Sequence, residues 1–295
     1  VRIVSLIASA TEMVHSLGLG EFLVGRSHEC DYPARVLQLP VCTEPVFDVE
    51  GDSREIDRRV KETLANAESV YRIFDETLER LQPTHIITQT QCKVCAVSLF
   101  DVEKALSARF STRPEVVAME PNSLQEIYHD IFRLAKACGV EERGRQLAEE
   151  IQREMEAVAR TARSTGRRPS VINVEWPEPL MAAGNWIPEL TEMLGARNLF
   201  GKAGVHSPWM QWDDVVRADP DVVICMPCGY DLKRTRAEMH WQDWSRLRAK
   251  IFLADGNQYL NRPGPRVAKS LRILAEILYP ECFEPTLDHI GWETF

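Results

Sequence analysis

A chain of 295 residues with 44% hydrophobic and 27% charged residues has the makeup of an ordinary globular protein of one large or two medium domains. Its net charge of −9 excludes nucleic acid as the main partner, because phosphate binding needs clustered Lys and Arg. No apolar run approaches the roughly 20 residues that a membrane span requires, so no span is expected.

Residues 1–7 read as a buried strand, and residues 11–17 as a helix closed by Gly18 and Gly20. A short strand follows at 22–25, then a turn at Asp31-Tyr32-Pro33. Ser53 is placed to cap a helix running to about residue 67. Residues 75–81 predict a helix, 85–88 a strand, 97–108 a helix and 116–119 a strand. Ser123 with Glu126 three residues on is a capping-box pattern.

Residues 141–164 differ from the rest: they are highly charged and free of Pro, with Leu147, Ile151, Met155 and Val158 in one apolar stripe at helical spacing. At 1.5 Å per residue such a helix is roughly 35 Å long. The second half repeats the alternation, with strands at 170–174, 222–225 and 251–253 and helices at 187–194, 213–217 and 266–278. Residues 234–249 read as largely helical. The pattern predicts an α/β protein of two Rossmann-like lobes with mostly parallel sheets, residues 1–140 and 165–295, joined by one long connector helix over 141–164. A faint repeat supports related lobes. ETLERLQPTHIITQ, starting at Glu76, matches DDVVRADPDVVICM, starting at Asp213, so that Pro83 falls on Pro220.

Ligands of parallel α/β sheets sit beyond the carboxyl ends of the strands. The residues that follow the predicted strands are therefore the candidate ligand contacts: Thr11, then His28, Glu29 and Cys30, then Gln91, Cys92 and Cys95 in the first half. In the second half they are Glu175 and Trp176, Cys228 and Tyr230, and Asn257 and Tyr259, with Trp186 flanking. Side chains from both lobes are expected to converge on one cleft. His28, Cys30, Cys92, Cys95 and Cys228 have the soft-ligand chemistry of a zinc or copper(I) site, or of the metal centre of a chelate. The alternative is a set of reduced thiols that line a pocket; Cys225, inside a predicted strand, reads as a core thiol. All seven Trp lie in the second half, and large flat side chains near the loops suit a large flat ligand.

The opening IVSLIASATEMVHSLGLGEFLVGRSHECDYP, the helix–Pro–strand phrase at Pro83, the long connector and GNWIPELTEMLGARNLF together resemble the class III periplasmic-binding-protein family, in its cobalamin-binding branch. The resemblance covers nearly the whole chain. It implies a rigid helix between two lobes, and cobalamin, another corrinoid or a similar metal chelate held between them for an ABC transporter. It also implies one acidic residue on each lobe that docks to the permease, by position Glu76 and Asp213. The family usually has Glu at both. Acids at these helix starts are also what the helix dipole favours.

Two further expectations follow. The chain opens on a strand with no secretory segment before it, so a cytosolic protein is expected, periplasmic only where a leader has been removed. The second reading of the function is then a cytosolic metal- or thiol-dependent enzyme on the same scaffold, with Glu175 as base and Cys92 or Cys95 as nucleophile or ligand. No complete triad or phosphate loop makes that reading concrete, and binding without turnover is the one favoured.

Overall fold

The computed structural model describes residues 1–66, 69–90, 101–103 and 113–295. Its contacts divide the chain into two units. One comprises Val1–Gly51, Glu55–Pro121 and Gln125–Glu149, the other Asp52–Arg54, Asn122–Leu124 and Glu150–Phe295.

In chain order the first half carries β1 (Ile3–Ser5), α1 (Ala8–Ser16), β2 (Leu23–Arg26), β3 (Thr43–Pro45), α2 (Ser53–Asn66), β4 (Tyr71–Ile73), α3 (Asp75–Leu81), β5 (His85–Gln89), β6 (Glu115–Met119) and α4 (Leu124–Ala137). The sheet of the first unit runs β2-β1-β5-β6 and is parallel at every pairing. Ile3, Val4, Ile86 and Ile87 are wholly buried, as expected of parallel strands covered on both faces. Leu6, Leu78 and Leu81 close one face of this core. The first strand is shorter than its apolar run: Leu6 and Ile7 are buried in the turn that enters α1. That helix starts at Ala8 rather than residue 11, and the small Ala8, Ser9 and Ala10 are all buried in its first turn. A separate antiparallel pair, β3 with β4, was not expected from the sequence.

The helix α5 (Glu141–Arg163) begins in the first unit and ends in the second. Its buried line is Ile151, Met155, Ala159 and Ala162, so the apolar stripe drifts off Val158 toward the small alanines.

The second unit carries β7 (Ser170–Trp176), β8 (Met181–Ala182), α6 (Ile187–Met193), β9 (Arg197–Asn198), α7 (Trp212–Ala218), β10 (Val222–Cys225), α8 (Leu232–Ala237), β11 (Lys250–Ala254), α9 (Val267–Leu278) and β12 (Trp292–Thr294). The strand order is β12-β11-β10-β7-β8, with β9 also on β7. The central strands are parallel, and β8 and β12 join antiparallel. The long helix expected over 234–249 is replaced by α8 and two short 3-10 turns. Asp243 caps the second of these turns: its carboxylate accepts from the Ser245 N–H and hydroxyl, a local bond that competes with continued helix there. Among the described residues no helix is long and apolar enough to cross a membrane.

Candidate functional site

In the first unit the parallel strands β1 and β2 end side by side, and the loop after Arg26 turns over the start of α1. Arg26 shapes that loop. Its guanidinium is buried and Nη1 donates to the carbonyls of Ser27 at 3.0 Å and Cys30 at 3.2 Å, so residues 27–30 wrap around one fixed cation. Ser27 Oγ accepts from the Glu29 N–H at 3.0 Å.

His28 projects from this loop half-buried. Its backbone N–H donates to Thr43 Oγ1 at 3.2 Å, and its Nδ1 lies 2.9 Å from the same oxygen. Its ring packs on Tyr71 at 5.3 Å, and Tyr71 donates its hydroxyl to Glu29 Oε1 at 3.4 Å. Burial, with the nearby Arg26 charge, holds the imidazole below its ordinary pKa, so at neutral pH it is the uncharged, metal-binding form.

Cys30 sits beneath this group. Its Sγ is fully buried 3.0 Å from Thr11 Oγ1, and Thr11 Oγ1 is 2.9 Å from Ser5 Oγ. Burial pushes the Cys30 thiol up, against opposing hydrogen bonds from Thr11 and Ser27, so it stays protonated. Thr11 and Cys30 thus tie α1 to the loop from below. Gln91, Cys92 and Cys95 lie outside the described residues.

In the second unit β7, β10 and β11 end together, and close backbone approach sets their loops. A Cβ on Gly256 would stand 2.0 Å from the Pro227 carbonyl oxygen, so only glycine lets the loop after β11 lie on the loop after β10. That contact lets Gly256 N–H and Asn257 N–H both donate to the Tyr230 carbonyl. Gly184 does the same on the other side: a Cβ there would meet Val205 O at 2.3 Å. The approach brings Ser207 to Glu175, whose Oε2 accepts from the Ser207 hydroxyl at 2.8 Å.

Glu175 and Trp176 are half-buried at the end of β7, and the Cys228 N–H donates to the Glu175 carbonyl at 3.1 Å. Trp176 packs on Tyr230 with ring centroids 5.4 Å apart, and the Arg234 guanidinium stands 4.1 Å over the other partner of the pair, Tyr230. Burial pushes the Tyr230 hydroxyl up to about 12, so it is a neutral donor. Asn257 accepts from the buried Arg262 at 3.2 Å through its side-chain oxygen. The short segment Asp52–Arg54 belongs to this unit too: Ser53 N–H donates to Glu238 Oε2, and Arg54 pairs with Glu178 at 3.5 Å.

The expected contacts therefore form two groups, His28 and Glu29 over Thr11 and Cys30 in one unit, and Glu175, Trp176, Cys228, Tyr230 and Asn257 in the other. Trp186 and Tyr259 stand apart as packing residues. Trp186 is buried with Nε1 donating to Leu260 O, and Tyr259 is buried beneath the Arg266 guanidinium. Arg26, Thr43, Tyr71, Ser207 and Arg234 were missed. A glycine in the first residues after a strand, as at Gly256 two residues past β11, is the sequence signal for a close loop contact.

The direct soft-metal set meets a constraint. Among the described residues no group of three or more His, Cys, Asp and Glu side chains is arranged to hold a metal ion. Cys225 is a wholly buried core thiol whose pKa burial drives far up. Glu76 and Asp213 are both exposed on the first turns of α3 and α7, and Asp213 pairs with Arg246 at 2.8 Å.

A family model described as periplasmic binding protein matches residues 3–248. An uncharacterized ABC transporter substrate-binding lipoprotein, YvrC of Bacillus subtilis, is 23% identical over 291 residues, covering 96% of this chain and 81% of that protein. A vitamin B12-binding protein of Photorhabdus laumondii is 22% identical over 278 residues, covering 94% and 87%. Among solved structures, a periplasmic heme binding protein from Pseudomonas aeruginosa superposes with a TM-score of 0.71 at 20% identity, covering 96% of this chain and 94% of that one. The periplasmic vitamin B12 binding protein BtuF of Vibrio cholerae gives 0.65 at 20%, covering 93% and 94%. These matches overturn the expected cytosolic location: the relatives are a lipoprotein and periplasmic proteins. The expectation leaned on a chain start, and exported proteins lose their leaders on maturation.

Proposed function

The chain belongs to the periplasmic binding protein family, and on that premise we propose that it binds a metal chelate of the corrinoid or heme kind for an ABC transporter. The reading is carried by the gathering of the candidate side chains at the carboxyl ends of the parallel strands in both units, His28 and Glu29 in one, Glu175, Trp176, Cys228 and Tyr230 in the other. Relatives named for vitamin B12 and for heme support a large, flat, metal-centred ligand. The enzyme alternative gains nothing from these relatives.

Each residue has a role in this reading. With Nδ1–H donating to Thr43, the His28 Nε2 lone pair is available to the metal of the chelate. Trp176 and Tyr230 offer aromatic faces to the macrocycle, and Glu175 and Asn257 bond its polar rim. Gln91, Cys92 and Cys95 complete the contact set, while Thr11, Cys30, Trp186 and Tyr259 hold the contact loops in shape. A second metal held directly, zinc or another soft ion, would need Cys92 and Cys95 beside His28. Glu76 and Asp213 are the docking acids for the permease.

The test is retention of the chromophore. The protein is incubated separately with cyanocobalamin and with hemin, desalted, and its absorbance spectrum recorded. Stoichiometric retention of one of them identifies the ligand class. Loss of both on desalting at micromolar protein overturns the proposal.

A further inference from the structure

At the amino end of β7, the end away from Trp176, the second unit holds an open surface depression of about 460 Å3 lined by Arg163, Arg167, Arg168 and Arg197, with Glu192 as its acidic member. The seven residues of β7 put it roughly 20 Å from the loops described above, at about 3.3 Å per residue. Four arginines around one depression are not what the composition predicts, since the whole chain carries 35 basic against 44 acidic residues.

Two of the guanidiniums are fixed. Arg163 is held between Glu156 at 2.8 Å and the Met193 carbonyl at 2.9 Å. Arg167 is held between Glu281 at 2.6 Å and the Leu278 carbonyl at 3.3 Å, and lies over the Tyr279 ring. The guanidiniums of the other two, Arg168 and Arg197, which are both exposed, make no hydrogen bond or ion pair among the described residues. Asp221 feels the Arg197 charge, but its Oδ2 is occupied by Ser170, accepting from both N–H and hydroxyl at 2.7 Å. Beneath the floor at Gly195 lies the Tyr279 hydroxyl, wholly buried and without a partner, 4.0 Å from where a Cβ on Gly195 would stand.

Guanidinium forks match phosphate oxygens bidentately. Two anchored and two unpaired forks around one open depression have the chemistry to hold a phosphate group while leaving room for what it is attached to. The geometry points to a second binding site on this protein, built from Arg163, Arg167, Arg168 and Arg197, that takes the phosphate group of a small phosphorylated molecule or of a lipid headgroup. The site is independent of the chelate and of the reading above.

The full chain is titrated calorimetrically with glycerol 3-phosphate and with pyrophosphate, and in a parallel arm is floated with phosphatidylcholine vesicles containing or lacking phosphatidic acid. The comparison protein is the Arg168→Ala, Arg197→Ala double variant, which alters exposed side chains only and is checked for an unchanged melting temperature. Saturable binding at one per chain, weakened by about tenfold or more in the double variant, supports the site with a free phosphate ester as its ligand. Flotation that requires phosphatidic acid and is lost in the double variant, without soluble binding, supports the site with a lipid headgroup as its ligand. Absence of binding in both arms, or binding equal in the double variant, overturns it. Chelate retention is read on the same samples, and its success or failure leaves these outcomes intact.

Discussion

Gln82 and Asp219 adopt the same left-handed backbone conformation, with φ of 45° and 43°, each one residue before a proline. Each is the C-cap of a seven-residue helix, α3 or α7, and each is followed by a strand of the parallel sheet. The following proline disfavours the right-handed helical region at these positions. A non-glycine residue held left-handed costs about 1 kcal/mol. Gln82→Gly is therefore expected to raise stability by up to about 1 kcal/mol, since relief of that strain exceeds the added freedom of the unfolded chain. The urea midpoint should rise at an unchanged slope. A lower midpoint would show that the Gln82 side-chain bond to the Glu79 carbonyl matters more.

The Glu276 carboxylate, buried inside α9, fastens the end of the chain. It accepts from Arg272 Nε at 2.8 Å, Thr286 Oγ1 at 2.7 Å, the Leu287 N–H at 3.1 Å and Trp292 Nε1 at 2.8 Å. Burial pushes its carboxyl up, but these bonds together outweigh burial and leave its pKa below the usual 4.5. With the folded value depressed, its stabilisation is complete above pH 4.5 and is lost as pH falls through the folded value. Glu276→Gln is expected to cost about 3 kcal/mol at pH 7, because Arg272 loses its buried counter-charge and the amide cannot accept at both ends. The variant should also show a flatter loss of stability below pH 4.5 than the parent. Equal acid sensitivity in the two proteins would assign the titration elsewhere.

Asp130 has the opposite sign. Burial raises its carboxyl to about 7, against the Glu120 N–H bond at 3.0 Å and the Arg133 cation at 3.4 Å. A raised carboxyl favours folding where it is protonated, so its contribution is full below 3.8 and declines as pH rises to about 7. Asp130→Asn keeps an acceptor for Glu120 and removes the charge. Its stability relative to the parent should increase steadily from pH 4 to pH 7 and level off above, as read by denaturant midpoints across that range. A constant difference across the range would rule out Asp130 as the titrating group.

The strands were the most legible part of the fold. Val222–Cys225 and its neighbours are short apolar runs rich in Val and Ile, and parallel central strands have that composition because both faces are covered. The candidate ligand loops follow from them by topology. The edge strands β8 and β12 span only two and three residues, too few for any period to register. Partnerships across sequence were hidden for another reason. Ser207 meets Glu175 from 32 residues away, and Thr43 meets His28 from 15, and each depends on a backbone approach that no local pattern encodes. Cys30 shows the limit of residue chemistry alone. Its soft sulfur marked it as a ligand, and the fold buries that sulfur under Thr11.

His28 is where the proposed function is most exposed to test. Its imidazole is held by Thr43, packed at a tilt against Tyr71 and kept uncharged by burial beside Arg26. If its Nε2 meets the metal of the chelate, His28→Ala should weaken binding by about tenfold or more and shift the visible absorbance of the bound ligand. Thr43→Val removes only the hydrogen bond that orients the ring, so a smaller loss with a smaller spectral shift is expected. Protonation must compete with the metal, and the lowered pKa makes that competition weak at and somewhat below pH 6.5, where an exposed imidazole would be half charged. Retention of the ligand should thus hold through pH 6.5 and fall at more acidic pH. A His28→Ala protein that binds with the parent's affinity and spectrum would remove the imidazole from the metal and leave aromatic contact with Trp176 and Tyr230 as the basis of recognition.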